Sequence, residues 1–396
     1  MQTFHRIWQL SLLSFIMAAL TGFLYRYAML YPVHESLNLA NIRHAHSHLM
    51  FFNWICPPIM IWMILDFTDK MSPSKKQSFK ICFYVMLFLG FLSFPFFLFY
   101  GYQSVPLGSA NLPLAAIISG LVMITWYWFA WLYFSLKKIG AVSIPRLLFE
   151  GALLALLISS LGAWGVSIFQ FTAVDSPLIS SAMTHFFLSV FTEGWAVLGI
   201  LGIIWANIKT PDHVQFKGWL WMPILFGSMM IFPFSLTQSL ITPAMLYTAY
   251  AGVILIVIAL SLNVYLLFNA GAFSGFIWKT VLILLAIKIL FKIAAILPFD
   301  IWPGEHGLRV LYLHLLLLGI ITIVLFERFQ PLSKPLFKNL FVISALLVIL
   351  SLVLISGYWP PAWAPPDIYF WIMIISVLPA ITAVPLFAES FKNSTD

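Results

Sequence analysis

Twelve apolar stretches follow one another from residue 7 to residue 389, broken only by short polar or proline-rich segments. They lie near residues 7–30, 41–65, 79–101, 109–136, 147–170, 182–206, 217–236, 244–268, 276–298, 306–327, 337–357 and 367–389. A helix of roughly 20 apolar residues crosses the hydrocarbon core of a bilayer. Only 8% of the chain is charged, against about 25% in ordinary soluble domains, so it cannot cover a water-facing surface and its solvent is lipid. The alternating pattern of a β-barrel is absent, and helices are the other way to satisfy backbone groups in lipid. The expectation is an all-α polytopic membrane protein, a single domain over residues 1–396 with twelve transmembrane helices, no soluble domain and no visible internal repeat. The N-terminal MQTFHRIWQL leads into an apolar run with no small-residue cleavage site, so this run is expected to stay as the first span.

The formal charge of +7 does not indicate nucleic acid, because the basic residues cluster in short loops as topology signals. With the N-terminus inside, the inner side collects Arg6, Lys70, Lys75, Lys76, Lys80, Lys137, Lys138, Arg146, Lys209, Lys217, Lys279, Arg328, Lys334, Lys338 and Lys392. The outer side has Arg26, Arg43 and Arg309, and Lys288 and Lys292 fall inside the ninth span. Cytoplasmic loops carry the Lys and Arg excess, so both termini are expected in the cytoplasm, with a bacterial inner membrane as the setting. Cys56 and Cys82 lie in or beside apolar runs and form neither a disulfide framework nor a CxxC metal pair.

On that topology the histidines sort by depth. His44, His46 and His48, in RHAHSHLMFF, sit at the outer end of span two, His185 at the outer end of span six, and His306 and His314 begin span ten. His5, His34 and His213 fall in loops or tails. At 100° per residue, His44 and His48 share a helix face and His46 points roughly 160–200° away. His46 and His314 lie roughly 8 and 12 Å into their spans at 1.5 Å per residue, matched depths for the two axial ligands of one haem. Bis-imidazole haem is low-spin and closed, which suits electron transfer. Its propionates need cationic partners. The three outward arginines, Arg43, Arg309 and Arg26, break the positive-inside pattern, Arg43 and Arg309 doing so beside the proposed ligands.

The same residues resemble the haem–copper oxidase subunit I superfamily, in particular its cbb-type oxidase and nitric oxide reductase branch. His46 followed by Met50 and Phe51-Phe52 is similar to that family's second helix, and Arg43 stands where the branch has an arginine. In span ten, YLHLLLLG sets His314 five residues before Gly319. The resemblance implies a twelve-helix subunit I-like bundle with His46 and His314 on a low-spin haem b. It also exposes departures. Tyr312 stands where the family has its high-spin haem ligand, span seven (GWLWMPILFGSMMIFPFSLTQSL) has no histidine pair for copper, and His185 in THFFLSVFTEGW lacks the following proline and carboxylate. The low-spin site looks preserved and the catalytic centre dismantled. His185, His44, His48 and His306 are the residues available for a second metal site, copper or a second haem. A weaker resemblance is to the NnrS family of haem- and copper-containing membrane proteins, through the HAH of residues 44–46.

Glu193 and Lys288 are the clearest acid and base deep in any span, with Lys292 one turn from Lys288. Intramembrane ionisable groups are costly and default to a functional reading, so Glu193, Lys288 and Tyr312 are the candidate catalytic residues, set against a structural ion pair. The expected function is a haem-binding redox or electron-transfer protein served by a cytochrome c or a quinol, with room for a partner subunit. An active oxidase or nitric oxide reductase, an NnrS-like protein and a transporter are the alternatives. No two-fold repeat supports the transporter, and the histidines lie off the midplane where transporter sites usually sit.

Overall fold

The computed structural model of the chain describes residues 2–136, 142–170, 176–208, 217–297 and 302–392. Lys137, Lys138, Lys209 and His213 lie outside them. Of the described residues, 81% are helical. In chain order the principal helices are α1 (His5–Ala28), α2 (Leu39–Leu65), α3 (Pro73–Tyr100), α4 (Leu114–Phe134), α5 (Ile144–Gln170) and α6 (Pro177–Trp205), then α7 (Met222–Met230), α8 (Pro243–Asn269), α9 (Gly275–Ala294), α10 (His306–Phe329), α11 (Pro335–Val353) and α12 (Ile368–Lys392). Ten of them are long and apolar enough to cross a membrane, which makes this an all-α polytopic membrane protein. The other two are α7 and α9. α7 is only 9 residues long, and short 3-10 turns flank it at Lys217–Leu220 and Phe232–Ser235. Pro233 contributes to that ending, since it has no N–H to continue a helix. α9 carries Lys279, Lys288 and Lys292 in 20 residues.

Caps are written into the sequence where helices begin. The side chains of Asn38, Ser72, Ser176 and Thr242 accept from backbone N–H groups in the first turns of α2, α3, α6 and α8, satisfying donors that a helix start leaves open. Pro73, Pro177, Pro243 and Pro335 sit at first-turn positions, where the missing N–H costs nothing.

Three helices share a feature that periodicity does not reveal. A seven-residue π-helical stretch interrupts α2 at Leu49–Ile55, α6 at Val190–Ala196 and α10 at Leu315–Ile321. The Cys56 N–H reaches back five residues to Phe51, and the Thr322 N–H and hydroxyl both reach Leu317. Pro57 and Pro58 follow the first stretch, and a widened turn relieves the clash of a proline ring with the preceding carbonyls. Gly194 and Gly319, poor helix formers, lie inside the other two. The π turn therefore recurs in every fourth helix, each time within a few residues after a histidine.

The chain divides into two compact units. The first comprises residues 1–140, 325–354 and 360–396 and holds α1–α4, the end of α10, α11 and α12. Its core is aromatic: Trp8 stacks on Phe329 at 4.3 Å, while Trp54, from the π turn, lies 5.3 Å from Trp8 and 4.9 Å from Phe15. Asn53, fully buried beside Trp54, donates to the Leu87 carbonyl of α3 at 3.2 Å. A short hairpin, β1 (Val105–Leu107) and β2 (Ala110–Leu112), joins α3 to α4, with Gly108 at φ 61° in its turn. The second unit, residues 141–324 and 355–359, holds α5–α9 and most of α10. There Asn263 ties α8 to the Leu220 carbonyl at 2.9 Å and accepts from Trp205 at 3.0 Å. α7 and α8 approach closely through Gly227 and Gly252, where an added methyl would meet backbone.

A side chain at Gly90 of α3 would occupy the volume of the Asn53 amide. Gly90→Val should lower the stability of the chain in detergent by about 1–3 kcal/mol, as overpacked cores do, read as a drop in thermal unfolding temperature, whereas Ile117→Val on an exposed face of α4 should leave it unchanged.

Candidate functional site

Polar side chains stand out in an otherwise apolar interior: the histidines of α2 in the first unit, and in the second unit the histidines of α6 and α10 and a cluster around Glu193.

His46 projects from α2 onto α1. Its Nδ1 lies 2.7 Å from the Ala18 carbonyl. A carbonyl only accepts, so Nδ1 carries the proton and the lone pair resides on Nε2. The helix gives access to that carbonyl because residue 22, one turn on, is glycine: a Cβ there would stand 3.2 Å from His46 Cε1. Gly22 thus seats the ring at the cost of a weaker helix, about 0.5–1 kcal/mol. His314 reaches the same state by a different route. Its Nδ1 lies 2.8 Å from the Val310 carbonyl of its own helix, one turn back, which again places the lone pair on Nε2. A ring N–H given to a backbone carbonyl is the usual second contact of a metal-binding imidazole.

His44 and His48 occupy the opposite side of α2, as the helical spacing requires. His48 stacks on Phe97 of α3 at 3.7 Å and meets Phe52 edge-on at 4.8 Å, and His44 meets Tyr102 edge-on at 4.9 Å. In the second unit, His185 lies on α6 with a buried Nδ1 that has no hydrogen-bond partner, and exposed His306 opens α10. No group of three or more His, Cys, Asp or Glu side chains gathers among the described residues to hold a metal ion. Of the arginines, Arg43 is exposed on α2, Arg309 donates to the Ser235 carbonyl at 3.3 Å, and Arg26 lies 5.7 Å over the Tyr25 ring and 3.7 Å from Met29 Sδ.

Glu193, Lys288 and Tyr312, separate in sequence, converge. Glu193 sits in the π turn of α6 and is 2% exposed; Lys288 of α9 is fully buried. Lys288 Nζ lies 2.7 Å from Glu193 Oε2, and Lys292 Nζ lies 3.1 Å from Oε1. The Tyr312 hydroxyl donates to Glu193 and accepts from Lys288. Both ammonium groups also lie over the Tyr312 ring, at 4.5 and 4.8 Å, where the face of the ring attracts cations. Every oxygen of the carboxylate has a donor, which is the condition under which a buried charge is tolerated. With all three groups ionised the cluster carries one excess positive charge, so Glu193 is its single compensating anion. The arrangement can share a proton between the Tyr312 hydroxyl and the Glu193 carboxylate.

Sequence reasoning missed Gly22, Phe97 and Tyr102 as partners of the histidines, and it missed the π turns. Pro57-Pro58 and the glycines at 194 and 319 were the available signals for the latter; nothing local marks Gly22. Neither a protein-family model nor a curated protein matches this chain.

Charge counting ranks the cluster variants. Glu193→Gln leaves the buried Lys288 and the half-buried Lys292 without an anion and should destabilise the chain by about 3–5 kcal/mol. Lys292→Met removes only the excess charge from a side chain at the cluster edge, and it should cost less than half as much. Thermal or denaturant unfolding in detergent reads the order, and equal losses would contradict the charge assignment.

Proposed function

We propose that this chain is a haem-binding integral membrane redox protein that carries electrons, with His46 and His314 as the residues that would hold a low-spin haem b and kinship to the haem–copper oxidase subunit I architecture. One observation carries the reading: both imidazoles commit Nδ1 to a backbone carbonyl and turn Nε2 into the basic nitrogen, the state an iron-binding histidine adopts. The glycine seat at residue 22 adds to it, since it spends helix stability only to hold a ring. A haem held by these two imidazoles would supply one-electron exchange. Arg43, Arg309 and Arg26 are the cations proposed for its propionates.

The ionised cluster favours electron transfer over oxygen or nitric oxide reduction. Tyr312 stands two residues before His314, yet its hydroxyl is committed to Glu193 and Lys288. Serving as an iron ligand would strip the buried carboxylate of one donor. The proposed role of the cluster is to set the local potential at His314 by its excess positive charge, which favours the reduced iron. We further propose that α7, with its flanking turns, and α9 complete twelve spans, with both termini in the cytoplasm of a bacterial cell and a cytochrome c or a quinol as electron donor.

Absorption spectroscopy of the full chain, produced with ample haem and purified in detergent, tests the reading. Dithionite reduction should give sharp α and β bands, with no change on adding carbon monoxide. His46→Ala and His314→Ala should each abolish the low-spin bands, and Gly22→Val should weaken haem retention while the chain still folds. A folded but colourless wild-type protein sinks the proposal, and a carbon monoxide-reactive haem sinks its electron-transfer form.

A further inference from the structure

We propose that the first half of α3 holds one anionic phospholipid, its phosphodiester on Lys76 and Lys80 and its acyl chains along the helix ridge below them. Residues four apart on a helix lie one above the other, with Cβ atoms about 5–6 Å apart. Followed down α3 in steps of four, one such ridge reads Lys76, Lys80, Tyr84, Phe88. Exposure rises along it, from the half-buried lysines to 41% at Tyr84 and 65% at Phe88. The ridge therefore faces the surroundings rather than a neighbouring helix. At 1.5 Å per residue it is about 18 Å long, a little more than the roughly 15 Å of hydrocarbon in one leaflet. Two cations, then a ring with a polar tip, then a wholly apolar ring follow the polarity of a phospholipid with a negative headgroup.

Contacts at the end of α4 set the depth of the lysines. Lys75, about 100° round the helix from Lys76, donates from Nζ to the Ser135 carbonyl at 3.3 Å. This bond brings the start of α3 level with the end of α4. One turn deeper on α4 stands Trp131, 70% exposed, whose carbonyl accepts from the Ser135 N–H. Exposed tryptophan in a membrane helix sits at the boundary between headgroups and hydrocarbon. Lys76 therefore lies at the level of lipid phosphates, and Phe88 reaches acyl depth.

Charge complementarity selects the headgroup. Among the described residues, neither Lys76 nor Lys80 is ion-paired, in contrast to Arg146, Lys288, Lys292 and Lys338. The acids of this end, Asp66 and Asp69, are exposed on the loop before Lys70, and with Lys70 and Lys75 the end stays net positive. Residues 81–136 contain no Asp, Glu, Lys, Arg or His, so the attraction is confined to one leaflet, the inner one in the topology proposed above. Orientation of the chain requires lysines only somewhere in the inner loops. It does not require two of them stacked over an exposed tyrosine and phenylalanine. A phosphatidylcholine headgroup carries its own cation and gains little here. Free phosphate meets the lysines but makes no use of Tyr84 or Phe88.

The test is native mass spectrometry of the full chain, delipidated in detergent and titrated separately with phosphatidylglycerol, with phosphatidylcholine of the same acyl chains, and with inorganic phosphate. The first phosphatidylglycerol should bind about 10-fold or more tightly than phosphatidylcholine, and more tightly than inorganic phosphate. A lysine near anionic headgroups contributes about 5-fold in affinity. Lys76→Gln and Lys80→Gln should each weaken the first phosphatidylglycerol by about that factor, and the double variant by about 25-fold. Lys279→Gln, which removes an exposed charge from α9, should bind as wild type. Glutamine is as good a helix former as lysine, so the thermal unfolding of these variants should not change. Equal weakening in Lys279→Gln and Lys76→Gln would assign the effect to net charge and overturn the site. Phosphatidylglycerol binding no tighter than phosphatidylcholine would overturn the anionic headgroup, and inorganic phosphate binding as tightly would overturn the lipid. The comparison of the three probes needs only the wild-type chain, so it stays decisive if a variant does not fold.

Discussion

In lipid, each backbone N–H and C=O must find its partner within the protein, and that constraint shapes every other feature of this molecule. It leaves helices as the only regular structure for the spans, and it restricts how a helix can depart from regularity. The departure used here is the π turn, which keeps the backbone bonded while widening the helix and re-aiming its side chains. It occurs in α2, α6 and α10, the helices that bear the clustered histidines. In α6 it carries Glu193 into contact with Lys288, Lys292 and Tyr312. In α2 it delivers Asn53 to a carbonyl of α3 and Trp54 to the aromatic core of the first unit.

The buried charges follow from the same constraint. An isolated carboxylate in such an interior is prohibitive, so Glu193 persists because two ammoniums and a phenol surround it. The cost is offset locally, and a second ammonium group, on Lys292, joins the pair at 3.1 Å. A purely structural pair has no need of the second lysine. Lys292 also lies over the ring of Tyr312, two residues before His314, and this links the second unit's packing to the function proposed for its histidine.

α2 shows how one helix keeps two chemistries apart. His46 leans on a backbone carbonyl that a glycine uncovers, while His44 and His48 face a wall of aromatic rings and one phenol. Each face is matched to the neighbour across from it: α1 offers Gly22, and α3 offers Phe97 and the turn at Gly101.

Much of this is legible in the linear order of residues. The scarcity of charge requires helices in lipid, the apolar runs locate most of them, and the 100° spacing separates His46 from His44 and His48. These properties are local or compositional, so no knowledge of packing is needed to derive them. The π turns, the seat at Gly22 and the convergence of Glu193, Lys288 and Tyr312 are not legible in that way. Residues 193, 288 and 312 lie on three helices, and only packing decides which faces meet. α7 and α9 mark the boundary between the two kinds of information. Their apolar runs read as spans, but Pro233 and three lysines make their form depend on neighbouring helices. The sequence by itself determined that this is a helical membrane protein with a small set of costly polar residues. The tertiary structure decided which of them share a site, because a buried charge or imidazole is stabilised only by partners that the fold brings from elsewhere in the chain.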